Sequence, residues 1–356
     1  MISLLLQQQA SKIIILPENM AFSSSAGFLQ SISIGGITFP HLPVILAPME
    51  DITDPPFRRL CKEMGADWVY TEFISADGLI RDAEKSLHKL DIYPDERPVS
   101  IQIFGAHIDA MVRAAEVAAG AGPEFVDINF GCPVRKVASK GAGSGMMNDV
   151  PRMVEMCRRI VKAVDVPVTV KTRLGYDQKS KNIVDIAERL QDCGIAALAI
   201  HGRTRDQMYR GTADWTLIGA VKNNPRMHIP IIGNGDITDG PSAREAFDRY
   251  GVDGIMIGRA STGNPWVFRE VRHYLNTGNI LPPPSLKERL NVCRRHIRLS
   301  AEWKGERTAV FEMRKHYGAY FRGIAGFKPY RMRLVTAGSI EELQLILNEI
   351  GGRFCN

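Results

Sequence analysis

Short runs of apolar, often β-branched residues alternate with helix-like segments along most of the chain. Runs of four to six such residues are typical of parallel strands that are buried on both faces of a sheet. We therefore predict eight strands: Val44–Ala47, Trp68–Thr71, Val99–Phe104, Phe125–Asn129, Val168–Thr172, Ala197–His201, Ile231–Gly235 and Gly254–Arg259.

Helix signals lie between these runs. Asp54 before Pro55 and Asp149 before Pro151 each resemble an N-cap followed by proline in the first turn. Residues 109–121, 182–193 and 241–250 carry helical periodicity. A chain of eight such strand–helix units predicts an α/β fold, closed as a (β/α)8 TIM barrel. The alternative is an open doubly wound sheet, which usually has a GxGxxG turn after its first strand. The first strand here is followed by Pro48, Met49 and Glu50, so we favour the barrel.

The pattern changes after Arg259. Helical periodicity covers residues 264–275, and Pro282–Pro284 then interrupts the chain. Ser285 and Glu288 have the spacing of a capping box that opens a helix to about Trp303, and further helices are predicted over 308–323 and 339–350. We predict a loosely ordered N-terminal extension over 1–34, a barrel over 35–275 and a C-terminal all-helical domain over 283–356.

Composition excludes several classes of protein. The 356 residues are 45% hydrophobic and 24% charged, which is typical of a globular protein rather than of a disordered chain or a coiled coil. No apolar run approaches the ~18 residues of a membrane span. The six cysteines include no CxxC pair, which argues against a zinc ribbon. We expect a reduced cytoplasmic protein, not held in a membrane, and a monomer.

Charge is concentrated in the C-terminal part. Residues 269–333 contain fifteen Lys or Arg and five Glu, a net +10, whereas the whole chain carries +6. A basic helical domain next to a near-neutral barrel indicates a polyanionic partner. Aromatic residues between the cations, such as Tyr320 and Tyr330, suit base stacking as well as helix packing.

Nearly every predicted strand ends in a polar residue, at the end where TIM barrels carry their chemistry. The loops after strands seven and eight, Asn234–Asp236 and Gly258–Arg259, have the composition and place of a phosphate site. Lys171 ends the fifth strand, where it can form a Schiff base or hold an electron-rich cofactor by charge. Cys132 lies on the loop after the fourth strand, because Pro133 disfavours helix at that residue. A loop thiol at this rim is a candidate nucleophile or acid.

At these residues the sequence resembles the tRNA-dihydrouridine synthases, and most of all their bacterial B-type branch. The similarity covers about residues 35–335. It rests on Ala47–Met49 with Thr53–Arg58, Gln102–Gly105, Asn129–Pro133 with Lys136, Lys140–Gly143, Lys171–Gly175, His201–Arg205, Asn234–Asp236, Gly258–Arg259 and Met313–His316 with Tyr320. The sequence departs from the family pattern at Glu50, where the family has a small residue, so Glu50 is expected to contact the cofactor through its backbone.

The resemblance implies an FMN-bound barrel and a helical tRNA-binding domain that together reduce the C5–C6 double bond of a uridine in tRNA, with NADPH as the electron source. It implies hydride transfer from flavin N5 to C6 and a proton from Cys132 to C5. By position, the FMN ligands are Pro48, Met49, Glu50, Gln102, Lys171, His201, Asn234, Gly235, Asp236, Gly258 and Arg259. The tRNA contacts are Asn129, Lys136, Arg203, Arg205, Arg314 and Lys315.

Two other functions compete with this interpretation. An FMN barrel that acts on a free pyrimidine, such as a dihydroorotate or dihydropyrimidine dehydrogenase, has no need of a basic helical domain. An RNA-binding protein or tRNA chaperone without chemistry has no need of Cys132, Lys171 and the phosphate loops.

Overall fold

The computed structural model describes residues 30–355. Its strands are β1 (Ile32–Ile34), β2 (Ile37–Phe39), β3 (Val44–Leu46), β4 (Val69–Tyr70), β5 (Ile74–Ser75), β6 (Val99–Phe104), β7 (Phe125–Asn129), β8 (Val168–Arg173), β9 (Ala197–His201), β10 (Ile231–Asn234) and β11 (Gly254–Ile257). Its helices are α1 (Pro55–Glu63), α2 (Ala76–Leu79), α3 (Glu84–His88), α4 (Ile108–Gly120), α5 (Arg135–Ala138), α6 (Val150–Ala163), α7 (Ile183–Gln191), α8 (Thr216–Lys222), α9 (Gly240–Tyr250), α10 (Val267–Thr277), α11 (Leu286–Lys304), α12 (Glu306–Tyr320), α13 (Lys328–Thr336) and α14 (Ile340–Phe354).

Eight parallel strands form the predicted barrel. Their order is β3-β11-β10-β9-β8-β7-β6-β4, and a bridge between Ile45 and Trp68 joins the two ends of this path. The short strand β5 continues the β4 segment after a break and pairs with β6. All eight predicted strands are present, and the (β/α)8 barrel is confirmed.

The N-caps predicted from the sequence are present, but one capping box is incomplete because its side chain has another partner. Asp54 accepts a hydrogen bond from the backbone N–H of Phe57 at the start of α1, and Asp149 does the same at α6. Ser285 caps α11, but the carboxylate of Glu288 does not complete the predicted box. It accepts instead from the indole N–H of Trp266 at 2.8 Å, because a fixed buried donor competes successfully with an exposed backbone N–H.

The bottom of the barrel is closed by the hairpin β1–β2. Ile34 and Phe39 are buried against the inward-facing residues of the strands, and the Phe39 ring stacks on Trp68 with centroids 5.9 Å apart. The extension predicted over 1–34 is therefore wrong at its end, since Ile32–Ile34 form a strand. The rest of that prediction, residues 1–29, lies outside the described residues.

Helices α11–α14 form the C-terminal all-helical region, with a core of its own. α13 was not predicted. Trp266, which precedes α10, packs into this helical core and meets Tyr320 edge-on with ring centroids 5.8 Å apart. From α1 of the barrel, Phe57 lies against the rings of His296 and His316, at 5.4 and 5.1 Å. The two cores therefore interlock.

Six aromatic rings lie in the segment from His316 to Tyr330. Five of them are buried in the helical region: His316, Tyr317, Tyr320, Phe321 and Phe327. These rings therefore pack the helical core. Over residues 30–355, no helix is long and apolar enough to cross a membrane.

Candidate active site

A cavity of about 1020 Å³ opens at the C-terminal ends of the barrel strands. Its far wall comes from the helical region, through Arg289, Ala319 and Arg322. Twelve of the residues singled out from the sequence line it: Pro48, Met49, Glu50, Asn129, Cys132, Lys171, His201, Asn234, Gly235, Asp236, Gly258 and Arg259.

Four predicted residues of the barrel lie outside this lining. Gln102 is fully buried beneath the floor, next to Asp127 and Asn129. Lys136 is exposed on α5. Arg203 is buried and donates to the backbone oxygens of residues 210 and 211. Arg205 is half-buried, with its guanidinium 5.1 Å from the centre of the Tyr176 ring.

The two predicted residues of α12 point in different directions. Arg314 donates to the backbone oxygen of Ala337 at 3.1 Å and lies over the ring of Phe311, so it holds α12 to the end of α13. Lys315 is exposed, and its ammonium lies 3.2 Å from the carboxylate of Asp51 on the barrel rim.

The Cys132 loop is held from both sides. The side-chain oxygen of Asn129 accepts the backbone N–H groups of Gly131 at 2.9 Å and Cys132 at 2.8 Å. On the other side, the hydroxyl of Ser144 donates to the backbone oxygen of Cys132 at 2.6 Å. Burial raises the pKa of the Cys132 thiol, while Arg173 and Lys171 oppose that shift. The thiol is therefore protonated at neutral pH, as a proton donor must be.

Cations surround the floor of the cavity. Burial and the nearby Arg173 lower the pKa of Lys171 to about 8, and its ammonium lies 3.2 Å from the side-chain oxygen of Asn234. Burial, together with Arg173 and Lys171, holds the pKa of His201 well below its usual range. The imidazole is therefore neutral and faces Arg203 at 3.4 Å through Nε2. The floor thus suits an electron-rich or anionic ligand.

The loops after β10 and β11 form a cradle beside this floor. Gly235 has φ +126°, and a Cβ there would lie only 2.8 Å from that of Ala213, so the backbone conformation requires glycine. The carboxylate of Asp236 accepts from Arg203 at 2.7 Å, from Arg259 at 3.0 Å and from the backbone N–H of Ala213 at 2.8 Å. Because its charge is shared between two guanidiniums, Asp236 organises the cradle without repelling an anion.

Arg173 and Tyr209 also line the cavity, and the sequence interpretation gave them no role. Arg173 is buried, and it donates to the backbone oxygens of Gly131, Thr204 and Met208. It thereby ties the Cys132 loop to the loop that carries Tyr209. A signal was available, because Arg173 lies two residues after Lys171 and must share its inward face of β8.

A second cavity, of about 630 Å³, continues from the first into the helical region, and Arg259 and Arg322 border both. Its lining contains five cationic side chains and no acidic one: Arg259, Lys315, Arg322, Lys328 and Arg331. In the part of the chain that the structure describes, Arg322, Lys328 and Arg331 form no ion pair. The surface next to the candidate active site is therefore strongly positive.

The family model described as Dihydrouridine synthase (Dus) matches residues 45–349, which include the whole barrel and most of the helical region. The chain belongs to the dihydrouridine synthase family. It is therefore a flavin-dependent oxidoreductase. Its resemblance to the bacterial B-type branch, read from the sequence motifs, is confirmed by curated relatives that carry that name.

Three of these relatives are named tRNA-dihydrouridine synthase B. The protein from Pseudomonas putida is 41% identical over 86% of this chain and 90% of its own length. The protein from Xanthomonas campestris pv. campestris is 42% identical over 85% of this chain and 91% of its own length. The protein from Klebsiella pneumoniae is 40% identical, over 88% and 96%.

Solved structures of low sequence identity share the fold. A morphinone reductase variant in complex with tetrahydroNAD aligns with a TM-score of 0.52 and 13% identity, over 74% of this chain and 93% of that one. A 2-naphthoyl-CoA reductase complex aligns with a TM-score of 0.56 and 14% identity, over 70% and 52%. They support the barrel architecture.

Proposed function

We propose that this member of the family binds FMN and uses electrons from NADPH to reduce the C5–C6 double bond of a uridine in tRNA. The observation that carries the proposal is the protonated thiol of Cys132, which is buried at a cavity that Lys171, Arg173 and Arg259 also line. The family membership and the names of the relatives support the choice of substrate.

The residues of the floor and the cradle fit a flavin mononucleotide. An anionic phosphate suits the cradle of Gly235, Gly258 and Arg259, and an electron-rich ring system suits Lys171. The amide of Asn234 and the backbone of residues 48–50 give polar edges around the same space. A flavin held there would supply the hydride for C6 of the uracil ring.

Cys132 supplies the proton. The S–H bond breaks as a C–H bond forms at C5, and the pair of electrons left on sulfur makes a thiolate. Arg173 and Lys171 stabilise that thiolate, since both favour the charged form of Cys132. Solvent returns the proton after the product leaves. Asn129 keeps the sulfur in place throughout, by its two hydrogen bonds to the loop backbone.

The side chains predicted to contact tRNA divide into two groups. Asn129, Arg203 and Arg314 use their polar atoms on backbone groups of the chain, so we propose that they position loops and helices. Lys136, Arg205 and Lys315 have accessible side chains and suit direct contact with RNA. Lys315 borders the second cavity, and we place the backbone phosphates along that cavity.

The first test is a Cys132→Ala variant. Purified enzyme is reduced with NADPH without oxygen and then mixed with unmodified tRNA, while the flavin absorbance is followed. The variant should be reduced normally and bind tRNA normally, because alanine removes only the proton donor. Its reoxidation by tRNA should slow by at least about 100-fold.

The matched control is Cys355→Ala, which removes an exposed thiol at the far end of α14. Its reoxidation should equal that of the wild type. Normal reoxidation of Cys132→Ala would remove the thiol from the mechanism. Reoxidation of the wild type by free uracil or orotate, but not by tRNA, would replace tRNA by a free pyrimidine as the substrate.

A second test addresses the tRNA surface. Lys328→Gln and Arg331→Gln should each weaken tRNA binding and lower the slope of log K against log salt by about one, because each removes one phosphate contact. Reduction by NADPH is the internal control and should not change. An unchanged salt slope in both variants would show that the RNA binds to another surface.

A further inference from the structure

A continuous series of hydrogen bonds runs beneath the candidate active site and ends at the Cys132 loop. Its four members, Thr169, Asp127, Gln102 and Asn129, are all less than 7% exposed. Strand register brings them together, because Asp127 pairs with Gln102 on one side and with Thr169 on the other. Asn129 lies two residues after Asp127 and shares its inward face.

The loop end of this series has a fixed polarity. The backbone N–H groups of Gly131 and Cys132 can only donate, so the side-chain oxygen of Asn129 must face them. The amide nitrogen of Asn129 then points the other way and donates to the side-chain oxygen of Gln102 at 2.7 Å.

The other end has the opposite polarity. With its oxygen used by Asn129, Gln102 donates through its amide nitrogen to one oxygen of Asp127 at 2.7 Å. The second oxygen of Asp127 accepts the hydroxyl of Thr169 at 2.6 Å. An ionised carboxylate can only accept, so it fixes the orientation of both amides.

We propose that Asp127 is a positioning residue, which sets the orientation of the Gln102 and Asn129 amides and through them the place of the Cys132 thiol. Burial raises the pKa of Asp127 to about 6, and hydrogen bonds from Thr169 and Gln102 and the charge of Lys171 oppose the shift. The carboxylate is therefore ionised at neutral pH. The inference concerns the positioning of Cys132 and rests on the proposed function only for its kinetic consequence.

The test exchanges the acceptor along the series. In Gln102→Leu, the side chain can neither donate to Asp127 nor accept from Asn129, which disrupts the series. In the double variant Gln102→Glu with Asp127→Asn, the only carboxylate is at position 102, and it accepts from both neighbouring amides. The polarity at Asn129, and hence the loop, is then restored.

Two readouts are taken on the flavin-loaded protein. One is the rate of alkylation of Cys132 by iodoacetamide, located by mass spectrometry. The other is reoxidation of the reduced flavin by tRNA. Gln102→Leu should change both rates by at least about 50-fold and Asp127→Asn by about 5-fold, while the double variant Gln102→Glu with Asp127→Asn should stay within about 5-fold of the wild type. A double variant as impaired as Gln102→Leu, or more so, overturns the proposal.

Thr169→Val provides the matched control and covers the case in which Gln102→Leu does not fold. It removes a hydrogen bond to the same carboxylate but leaves the series from Asp127 to Cys132 intact. In Thr169→Val, thermal stability should fall, but Cys132 should be alkylated at the wild-type rate. In Asp127→Asn, the alkylation rate of Cys132 should differ from the wild-type rate. Equal alkylation rates in Thr169→Val and Asp127→Asn would make Asp127 merely structural.

The alkylation readout keeps the two proposals apart. A wild type that does not reduce tRNA would refute the proposed function, and the alkylation rates would still test the series of hydrogen bonds. A double variant alkylated as abnormally as Gln102→Leu, in an active enzyme, would refute the series alone.

Discussion

At the scale of single residues, the candidate site is governed by burial acting on titratable groups. The same loss of water raises the pKa of Cys132 and lowers that of Lys171 and His201. At neutral pH the thiol of Cys132 therefore keeps its proton and the imidazole of His201 stays neutral. Lys171 is charged, but its pKa of about 8 lies close to neutral pH. The protonated thiol and the charged lysine suit a reaction that needs one proton donor and binds one anionic ligand.

The thiol gives a pH prediction. Because the pKa of Cys132 is raised, the thiol should keep its proton from pH 7 to 9. Lys171 titrates in the same range, so the test uses flavin-saturated Lys171→Met, whose reoxidation by tRNA should stay constant. An unperturbed thiol of pKa about 8.5 would lose most of its proton over that range. Rapid mixing at several pH values measures this directly. A rate that falls about fourfold between pH 7 and 9, as expected for the unperturbed thiol, with flavin reduction unchanged, would contradict the shift.

Lys171 gives the opposite dependence. Its pKa of about 8 means that its charge disappears as the pH rises from 7 to 9. Binding of FMN to the flavin-free protein should therefore weaken over this range, by about 5-fold. A Lys171→Met variant should bind FMN more weakly at pH 7 and show a flatter pH dependence. Fluorescence quenching of FMN measures both. Equal slopes in the two proteins would show that another group titrates.

At the scale of elements, strand periodicity and strand ends carried the prediction of the barrel. The eight strands are near-continuous apolar runs, so their identity depends little on tertiary context. The hairpin β1–β2 was missed because each strand has only three residues and is stabilised by packing on Trp68 rather than by its own pattern. α13 was missed for a similar reason, since Leu334 is its only buried residue.

The site was predictable where it depends on strand ends and loops, and not where it depends on distant partners. Cys132, Lys171 and the cradle follow from their places after strands. The role of Arg203 does not follow, because its partners are the backbone of its own loop and Asp236. Asp127 looks like any polar residue in a strand until its register with Gln102 and Thr169 is known.

The hairpin gives a prediction at this scale. Phe39→Ala removes a buried ring that stacks on Trp68 and should lower the free energy of unfolding by about 3 kcal/mol. Chemical denaturation measures the change. Ile280→Ala, at a side chain that is 77% exposed, should change it by less than about 0.5 kcal/mol. Equal effects of the two substitutions would show that the hairpin contributes little to the barrel.

At the scale of the whole molecule, the barrel and the helical region share a buried interface. A fragment that ends at residue 282 would expose Phe57 and leave Trp266 without its helical partners. We expect this fragment to lack a cooperative thermal transition, so loss of activity on truncation would not by itself locate the tRNA surface. Calorimetry checks the fragment. A transition as sharp as that of the full chain would show that the domains fold independently.

The same interface contains two neutral histidines and predicts sensitivity to acid. Burial lowers the pKa of His296 to about 3, whereas an unfolded histidine has a pKa near 6.5. As the pH falls below about 6.5, the unfolded chain takes up a proton that the folded chain does not, so stability is lost. His296→Gln should reduce the loss between pH 7 and 5.5 by about 1 kcal/mol in chemical denaturation. An unchanged pH dependence would assign the acid sensitivity elsewhere.

The hairpin β1–β2 closes the bottom of the barrel. Among the described residues, the remaining entrance is the mouth between the strand ends and the helical region. A reductant and an RNA that must reach the same atoms through one opening cannot both be seated there. They have to come in turn, with the first product gone before the second substrate arrives. Initial rates measured at several tRNA concentrations should therefore give parallel lines in double-reciprocal plots, and excess tRNA should slow the reductive half of the cycle.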